Sequence, residues 1–434
     1  MRISNRVLLS LYPILLILVV LLGGLGVMQS YDYGFRLVLT FVLVSPILFF
    51  GLLDPFLALR MLAMGVWMMD VVVRHGYTSS FFLHVAVFGV SILYLKRINK
   101  TLQTPGVGLL VCYLFLAGLQ SINGLHLEFI VKNLLGICSF LLLVYWITPK
   151  LTPAQINLLL KDYCLGVLIV CLLLLLSMDY PLERRLGEAI LQNPNAMGLM
   201  VTFAGLLSIY LWFTGRARGF GNLILLVTFC VVLVLTGSRA ALVALIVGGA
   251  IMVYAFKRRY LIYAPFLLIP LFLQLVDVDS LRAEGIFTHL FRGLSEQSYN
   301  VFESANLRLE ILARGWELFV QKPILGYGLG NFQFVAQVGS DTAMRILPAH
   351  NLFLTSAIEM GVFGVFILTI WILIVFKYLF VDRHVFALSI FAVLFIQSLT
   401  HGSFLGVLYG IPFGFALATS SFMTKSRIIE DKNL

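Results

Sequence analysis

The sequence is dominated by apolar runs that follow one another at short intervals along most of its length. Fourteen runs can be recognised, near residues 7–29, 36–53, 55–73, 80–95, 106–121, 128–148, 163–178, 196–214, 221–236, 240–256, 260–276, 351–379, 385–400 and 403–423. A helix needs about 20 apolar residues to cross the hydrocarbon core of a bilayer, where its backbone hydrogen bonds are satisfied internally. Because several runs are short, the pattern predicts an all-α polytopic membrane protein with 12–14 transmembrane helices.

The composition agrees with this class. Apolar residues make up 61% of the chain and charged residues only 12%, whereas a soluble domain carries about 25% charged residues. Such a chain has too little polar surface to fold in water, which excludes a soluble enzyme, a disulfide scaffold and a nucleic-acid-binding protein. Membrane topology explains much of the net charge of +10, because a cytoplasmic N-terminus places the basic clusters on the inner side. These clusters lie at residues 96–100, 216–218, 257–259 and 425–427.

The positions of loops and charges indicate how the chain is organised. Transmembrane helices with short loops occupy residues 1–276, a large periplasmic loop follows at 277–350, and further transmembrane helices occupy 351–434. Both termini are predicted to be cytoplasmic. Charges within the spans are few, and Arg60, near the inner end of its helix, can snorkel or pair with a neighbouring helix. A transporter would be expected to keep charges near the midplane, so this pattern disfavours a transporter.

The large loop contains a helical pattern of its own. Apolar side chains recur every three or four residues and form a stripe that would either lie on the membrane surface or pack on the bundle. The stripe consists of Leu309, Leu312, Trp316 and Phe319. Pro323 ends this helix, and a tight glycine-rich turn follows at residues 326–330.

Arg239 occupies an unusual position at the outer face. Ser238 is a favourable N-cap, which places Arg239 in the first turn of the following helix. A cation there opposes the positive end of the helix dipole, and no acidic residue lies within four positions. Either the arginine is anchored to lipid headgroups, or the guanidinium and the helix N-terminus together bind an anion such as phosphate.

Three further arginines differ in their local partners. Arg314 has Glu310 and Glu317 at helical spacing, which predicts a surface salt bridge. Arg308 has no acidic residue at the corresponding positions, so it is the better candidate for binding something outside its own helix. Arg185 lies among acidic residues of another outer segment and ranks third.

His350 directly follows the large loop and opens the next helix. A helix N-terminus disfavours the imidazolium form, so this ring should stay neutral and could accept a proton. A base at the membrane surface with arginines nearby suits glycosyl or phosphoryl transfer from a lipid carrier. A purely structural histidine is an equally good interpretation from the chemistry alone.

Five motifs in this part of the chain resemble the O-antigen ligase/polymerase superfamily. In chain order they are Asn193-Pro-Asn195-Ala-Met-Gly198, Gly237-Ser-Arg239-Ala-Ala-Leu, Arg308-x-x-x-Leu-x-x-x-Trp316, Lys322-Pro-Ile-Leu-Gly-Tyr-Gly328 and Ala349-His-Asn-Leu-Phe-Leu…Glu359-Met-Gly361. Members are bacterial inner-membrane glycosyltransferases related to the GT-C type. They move a glycan from undecaprenyl pyrophosphate to an acceptor on the periplasmic side, without a nucleotide sugar or an obligatory metal.

The resemblance implies roles for particular residues. His350 matches the proposed general base, and Arg239 and Arg308 match the arginines that hold the pyrophosphate. Secondary donor or acceptor contacts are assigned to Arg185, Arg314 and Asn351. The expected enzyme is a metal-independent, inverting glycosyltransferase with no cofactor.

The acceptor separates the functional alternatives. The resemblance favours an O-antigen ligase that attaches O-antigen to lipid A-core in lipopolysaccharide biosynthesis, since a clean arginine-x10-glycine pattern described for some polymerases is missing. The alternative is a polymerase that lengthens the glycan on its carrier. A polysaccharide flippase or transporter is a third interpretation. The expected partners are the lipid-linked glycan, either acceptor and membrane lipids, with no nucleic acid.

Overall fold

The computed structural model shows a helical protein. It describes residues 14, 42, 44–50, 52, 54–73, 77–95, 106–124, 126–176, 194–215, 220–236, 238–257, 309–335, 351–382, 384–401 and 409–419. All regular structure within these ranges is helical, and they contain no strand. The all-α class predicted from the apolar runs is therefore confirmed.

The helices are labelled in chain order. They are α1 (Pro55–Val73), α2 (Tyr77–Leu95), α3 (Val107–Gln120), α4 (Leu127–Leu141), α5 (Pro153–Leu176), α6 (Pro194–Phe213), α7 (Phe220–Thr236), α8 (Arg239–Lys257), α9 (309–321), α10 (Phe332–Val335), α11 (Leu352–Val381), α12 (Val385–His401) and α13 (409–419). A 3-10 turn at Ser121–Asn123 joins α3 to α4, and α4 continues into a π-helical turn at Leu142–Ile147.

Several helices have the length and composition of membrane spans. Four stretches in the described ranges meet both criteria: Phe129–Ile147, Pro153–Leu173, Arg239–Phe256 and Leu352–Val381. Shorter apolar helices lie at Pro55–Val66, Val107–Asn123, Met197–Phe213, Gly221–Thr236 and Val385–Thr400. The protein is a multi-pass membrane protein. The total of 12–14 spans includes segments outside the described residues and stays a prediction.

A partly buried ion pair joins α1 to α5. The Nε and Nη2 atoms of Arg60 donate to the two carboxylate oxygens of Asp162, at 2.5 and 2.9 Å. The two helices approach closely at Gly166. A Cβ at this position would lie only 2.0 Å from the carbonyl oxygen of Met64, so the contact requires glycine. Of the two alternatives for Arg60, pairing with a neighbouring helix is confirmed, and its partner is Asp162.

Helix α11 is sharply bent at Gly361. Gly361 has φ 67° and ψ −163°, which are not helical values. A Cβ on Gly364 would lie 3.2 Å from the carbonyl oxygen of Ser356, although eight residues of straight helix extend about 12 Å. Residues 352–360 therefore turn away from the axis of residues 362–381. The apolar run at 351–379 predicts one span that His350 opens, and Leu352–Val381 has the length and composition of a span. The structure adds the bend at Gly361, after which residues 362–381 alone are long enough to cross the bilayer.

Helices α6, α8 and α11 begin at the same end of the bundle. Tyr210 stacks on Phe386 at 4.1 Å and lies 6.3 Å from Phe256, so the ends of α6 and α8 meet the start of α12. Phe353 lies 6.4 Å from Phe395, so the start of α11 meets the last turns of α12. The N-terminal ends of α6, α8 and α11 consequently share the opposite end of the bundle, which is called the Arg239 end below.

Candidate functional site

Arg239 is the first residue of α8 and is partly buried. No carboxylate among the described residues forms an ion pair with it. The preceding carbonyl, of Ser238, accepts the first helical hydrogen bond from Leu242 N at 3.0 Å. The Ser238 side chain is fully buried, yet its Oγ has no hydrogen-bond partner among the described residues. The expected helix start is confirmed, but the Ser238 hydroxyl does not cap it.

The N-terminal turns of α6 and α8 pack tightly side by side. A Cβ on Gly198 would lie 2.7 Å from Ser238 Cβ, so the close approach requires glycine. Thr202 Oγ1 donates to the carbonyl oxygen of Ala241 at 3.0 Å. Arg239 therefore begins α8 where the N-terminal turns of α6 lie alongside, and both helix N-termini carry partial positive charge. Such an arrangement attracts an anion.

Helix α9 lies alongside the first segment of α11, residues 352–360. Gly315 faces Leu354, since a Cβ there would lie 2.7 Å from the leucine side chain. Further along both segments, Val362 N donates to the carbonyl oxygen of Pro323 at 2.8 Å. The separation from Gly315 to Pro323 equals that from Leu354 to Val362, so the two segments run in the same direction. They begin near each other.

The glycine-rich turn after α9 fills the gap that the bend in α11 creates. In an unbroken helix Val362 N would bond to the carbonyl of Ile358, but it bonds to Pro323. The carbonyl oxygens of Ile358 and Glu359 instead accept from Tyr327 N at 2.7 Å and Gly328 N at 3.1 Å. The turn and the bend therefore exchange backbone hydrogen bonds that neither segment could satisfy alone.

Three glycines in this turn have positive φ, with values of 69°, 99° and 78° at Gly326, Gly328 and Gly330. A Cβ on Gly326 would lie 2.5 Å from the carbonyl oxygen of Ile358. On the other side of the turn, a Cβ on Gly328 would lie 2.7 Å from the Asn123 carbonyl. The glycines are therefore required by both backbone conformation and close packing. The tight turn predicted from the sequence is confirmed.

Glu359 is a buried acidic residue that fixes the end of the turn. Its side chain is only 5% exposed, and its Oε1 accepts from Phe332 N at 3.3 Å. The N–H of Gly330 also interacts with this carboxylate. Asn331 ties the turn to the α3–α4 connection, because its Nδ2 donates to the Asn123 carbonyl at 3.0 Å. Glu359 belongs to one of the five sequence motifs, but its contacts with the glycine-rich turn were not predicted.

An open cleft of about 580 Å³ lies beside this turn. It is lined by residues 322–327 and by Asn123, Asn331 and Val335. The ammonium group of Lys322 lies 4.6 Å from the ring centre of Tyr327, and the Tyr327 hydroxyl donates to Gln321 at 2.9 Å. The cleft therefore contains the Lys322 ammonium group and the side-chain amides of Asn123 and Asn331, beside apolar walls.

The remaining predicted residues are distributed as follows. Asn351 is the N-cap of α11, and its side chain accepts from Leu354 N at 3.0 Å. Arg314 donates to Glu317 at 2.9 Å, which confirms the predicted surface salt bridge. Arg185, Arg308 and His350 lie outside the described residues.

These features define a polytopic helical membrane protein with a candidate anion site at the ends of its helices. Residues 223–369 match the family model of the O-antigen ligases. This match confirms the resemblance of the chain to the O-antigen ligase/polymerase superfamily. It supports an O-antigen ligase-like, glycosyltransferase-type activity at the level of the family. No curated protein matches the chain.

Proposed function

We propose that the protein is a bacterial inner-membrane glycosyltransferase that transfers a glycan from undecaprenyl pyrophosphate to an acceptor hydroxyl at the periplasmic face. The favoured reaction is that of an O-antigen ligase, which attaches O-antigen to lipid A-core. The observation that carries the proposal is Arg239, which lies beside two helix N-termini and forms no ion pair with a described carboxylate. A pyrophosphate would supply the missing negative charge.

Chain connectivity supports a site that includes Arg308 and His350. Arg308 directly precedes α9, and His350 directly precedes Asn351 at the start of α11. Since α9 and residues 352–360 run in the same direction in contact, the two residues would enter the site from neighbouring helix starts. Residues 352–360 belong to the Arg239 end, which favours a common site.

The proposed reaction is a single displacement. His350 accepts the proton of the acceptor hydroxyl, whose oxygen forms a bond to the anomeric carbon of the donor sugar. The bond between that carbon and the pyrophosphate oxygen breaks, and undecaprenyl pyrophosphate leaves. Arg239 and Arg308 stabilise the charge that develops on the leaving oxygen, in place of a divalent cation. Inversion at the anomeric carbon follows.

Arg185, Arg314 and Asn351 are proposed to make secondary contacts to donor or acceptor. Of these, Asn351 is already the helix cap and Arg314 is already paired, so both would act at the edge of the site. A polymerase would use the same donor chemistry with a growing glycan as acceptor. A flippase would move the lipid-linked glycan without any bond exchange.

A deletion strain separates these alternatives on a lipopolysaccharide gel. Loss of the whole ladder with free lipid-linked polymer retained indicates a ligase, whereas lipid A-core bearing a single repeat indicates a polymerase. Complementation with H350A, R239A or R308A should lower transfer by about 100-fold or more, as expected for loss of a base or of an oxyanion contact. R314A is the comparison variant and should cost less activity than R308A, because the Arg314 guanidinium is paired with Glu317.

The same variants, purified in detergent, test the mechanism directly. Transfer by the wild-type protein should continue in EDTA, since arginines neutralise the leaving group. Loss of transfer in EDTA with recovery on adding Mg²⁺ would contradict the arginine-only mechanism. Wild-type turnover by H350A would contradict the role of the base, and transport unaffected by that variant would favour the flippase.

A further inference from the structure

Helix α9 has three distinct faces. One face is buried against residues 352–360, and the second carries the charged and polar side chains. The third face is apolar but exposed, with Leu309 64%, Trp316 63% and Val320 58% accessible, and Leu312 also belongs to it. The predicted stripe had left two alternatives open, and the bundle contact is made instead by Ile311, Gly315 and Leu318.

The angular order of these faces is informative. At 100° per residue, the exposed apolar face and the buried face adjoin through Phe319, which is only partly exposed. The polar side chains occupy one narrow sector, at positions 310, 314, 317 and 321. The helix is therefore apolar around most of its circumference, although among the described residues the protein contacts are made mainly by its buried face. Water is an unfavourable neighbour for the remaining part.

The exposed apolar face continues onto the surface of a membrane span. After α9 the exposed side chains of Ile324 and Leu325 follow, and Pro323 is hydrogen-bonded to Val362. Val362 begins the spanning part of α11, where Phe363 and Phe366 are exposed in turn. On a membrane span, exposed apolar side chains such as those of Phe363 and Phe366 face acyl chains.

The orientation of α9 also fits a bilayer surface. Residues 352–360 turn sharply away from the axis of residues 362–381, as the contact between Gly364 and Ser356 requires. Helix α9 runs alongside residues 352–360 and not alongside the span. A helix that crosses the end of a span, with one apolar face and one charged face, has the geometry of an interfacial helix.

We propose that α9 is a membrane-surface helix whose face of Leu309, Leu312, Trp316 and Val320 inserts into the acyl-chain region of the leaflet at the Arg239 end. The occupant of this face is lipid, and the charged sector stays in water. Insertion holds the helix that follows Arg308 at a fixed depth. The inference depends on the exposed apolar face of α9 continuing onto the exposed apolar surface of α11. It is independent of the proposed transfer reaction.

Quenching of tryptophan fluorescence in proteoliposomes tests this proposal. The emission of Trp316 is obtained as the difference between the wild-type protein and W316F. Lipids with bromine on the sixth and seventh acyl carbons should quench this component at least about twofold more than iodide in the aqueous phase does. The matched control is W316F with E317W, which moves the tryptophan to the charged sector. Its additional emission should be quenched mainly by iodide.

Each other outcome overturns the proposal. Quenching of Trp316 by iodide and not by brominated lipid means that the face is in water. Protection from both quenchers means that protein covers it, as in an association of two copies. Equal quenching by brominated lipid at positions 316 and 317 means that the apolar face and the charged sector of α9 are equally exposed to lipid. Both variants change surface side chains, and elution as a single species on gel filtration checks their folding.

Discussion

Replacing Gly361 with alanine should strongly destabilise the protein. The residue has φ 67° and ψ −163°, a region that is essentially restricted to glycine and costs other residues about 1–3 kcal/mol. The added Cβ would lie 2.1 Å from the carbonyl oxygen of Ile324 and 2.8 Å from that of Pro323. Both are backbone atoms, so the collision cannot be relieved by a side-chain rotation.

Movement of the turn would break the hydrogen bonds that join it to α11. Two hydrogen bonds depend on the close approach of this turn to the bend at Gly361. They run from Val362 N to the carbonyl of Pro323 and from Tyr327 N to the carbonyl of Ile358. Each contributes about 1 kcal/mol net, and more if a buried group is left without a partner. Together with the backbone strain, G361A should lower the free energy of unfolding by about 4 kcal/mol.

Denaturant unfolding in detergent micelles, followed by circular dichroism, measures this loss. The matched control is G249A in α8, where the glycine has a helical φ and a Cβ would meet no atom within 4 Å. That change should be neutral or stabilising by up to about 1 kcal/mol. If G361A unfolds at the same denaturant concentration as G249A and the wild-type protein, the bend does not depend on glycine and the reasoning fails.

Two further predictions use the same unfolding measurement. R60A should cost about 3–5 kcal/mol, because it leaves the buried Asp162 carboxylate without its partner, and D162A should cost less, because the Arg60 side chain is partly exposed. The double change R60M/D162L should recover most of the loss. A double variant as unstable as the single variants would contradict this pairing. E359Q should cost about 1.5–3 kcal/mol, since the amide lacks the negative charge that strengthens the hydrogen bonds from the backbone N–H groups of Gly330 and Phe332. Wild-type stability of E359Q would show that these hydrogen bonds contribute little.

Local sequence signals predicted the features whose partners are near in the chain. The Arg314–Glu317 pair follows from spacing within one helix, and it is present. Pro323 marked the end of α9 correctly, since the helix ends at residue 321. The start of α8 at Arg239 was also predicted, although the Ser238 hydroxyl on which that prediction rested has no hydrogen-bond partner among the described residues. For the salt bridge and the end of α9, the physical cause acts within one or two helical turns, and the sequence alone contains it.

Features that depend on distant contacts were not accessible in this way. Asp162 pairs with Arg60 across 102 positions, and nothing in either local sequence indicates which helices are neighbours. The bend at Gly361 was missed because glycine is common in transmembrane helices and the apolar run continues through it. The inner face of α9 was missed because the helix has two apolar faces, and the more conspicuous one contains Trp316.

The contacts of the glycine-rich turn separate its structural role from the proposed chemistry. A glycine-rich turn with exposed N–H groups would be a candidate phosphate site, but here the backbone N–H groups of residues 326–329 and of Asn331 and Phe332 all donate to protein acceptors. The N–H of Gly330 faces the Glu359 carboxylate. The turn therefore has no amide left for a ligand, and together with the bend in α11 it forms one structural unit. In the proposed reaction, charge stabilisation is then left to side chains, and Arg239 is the described residue to which we assign it.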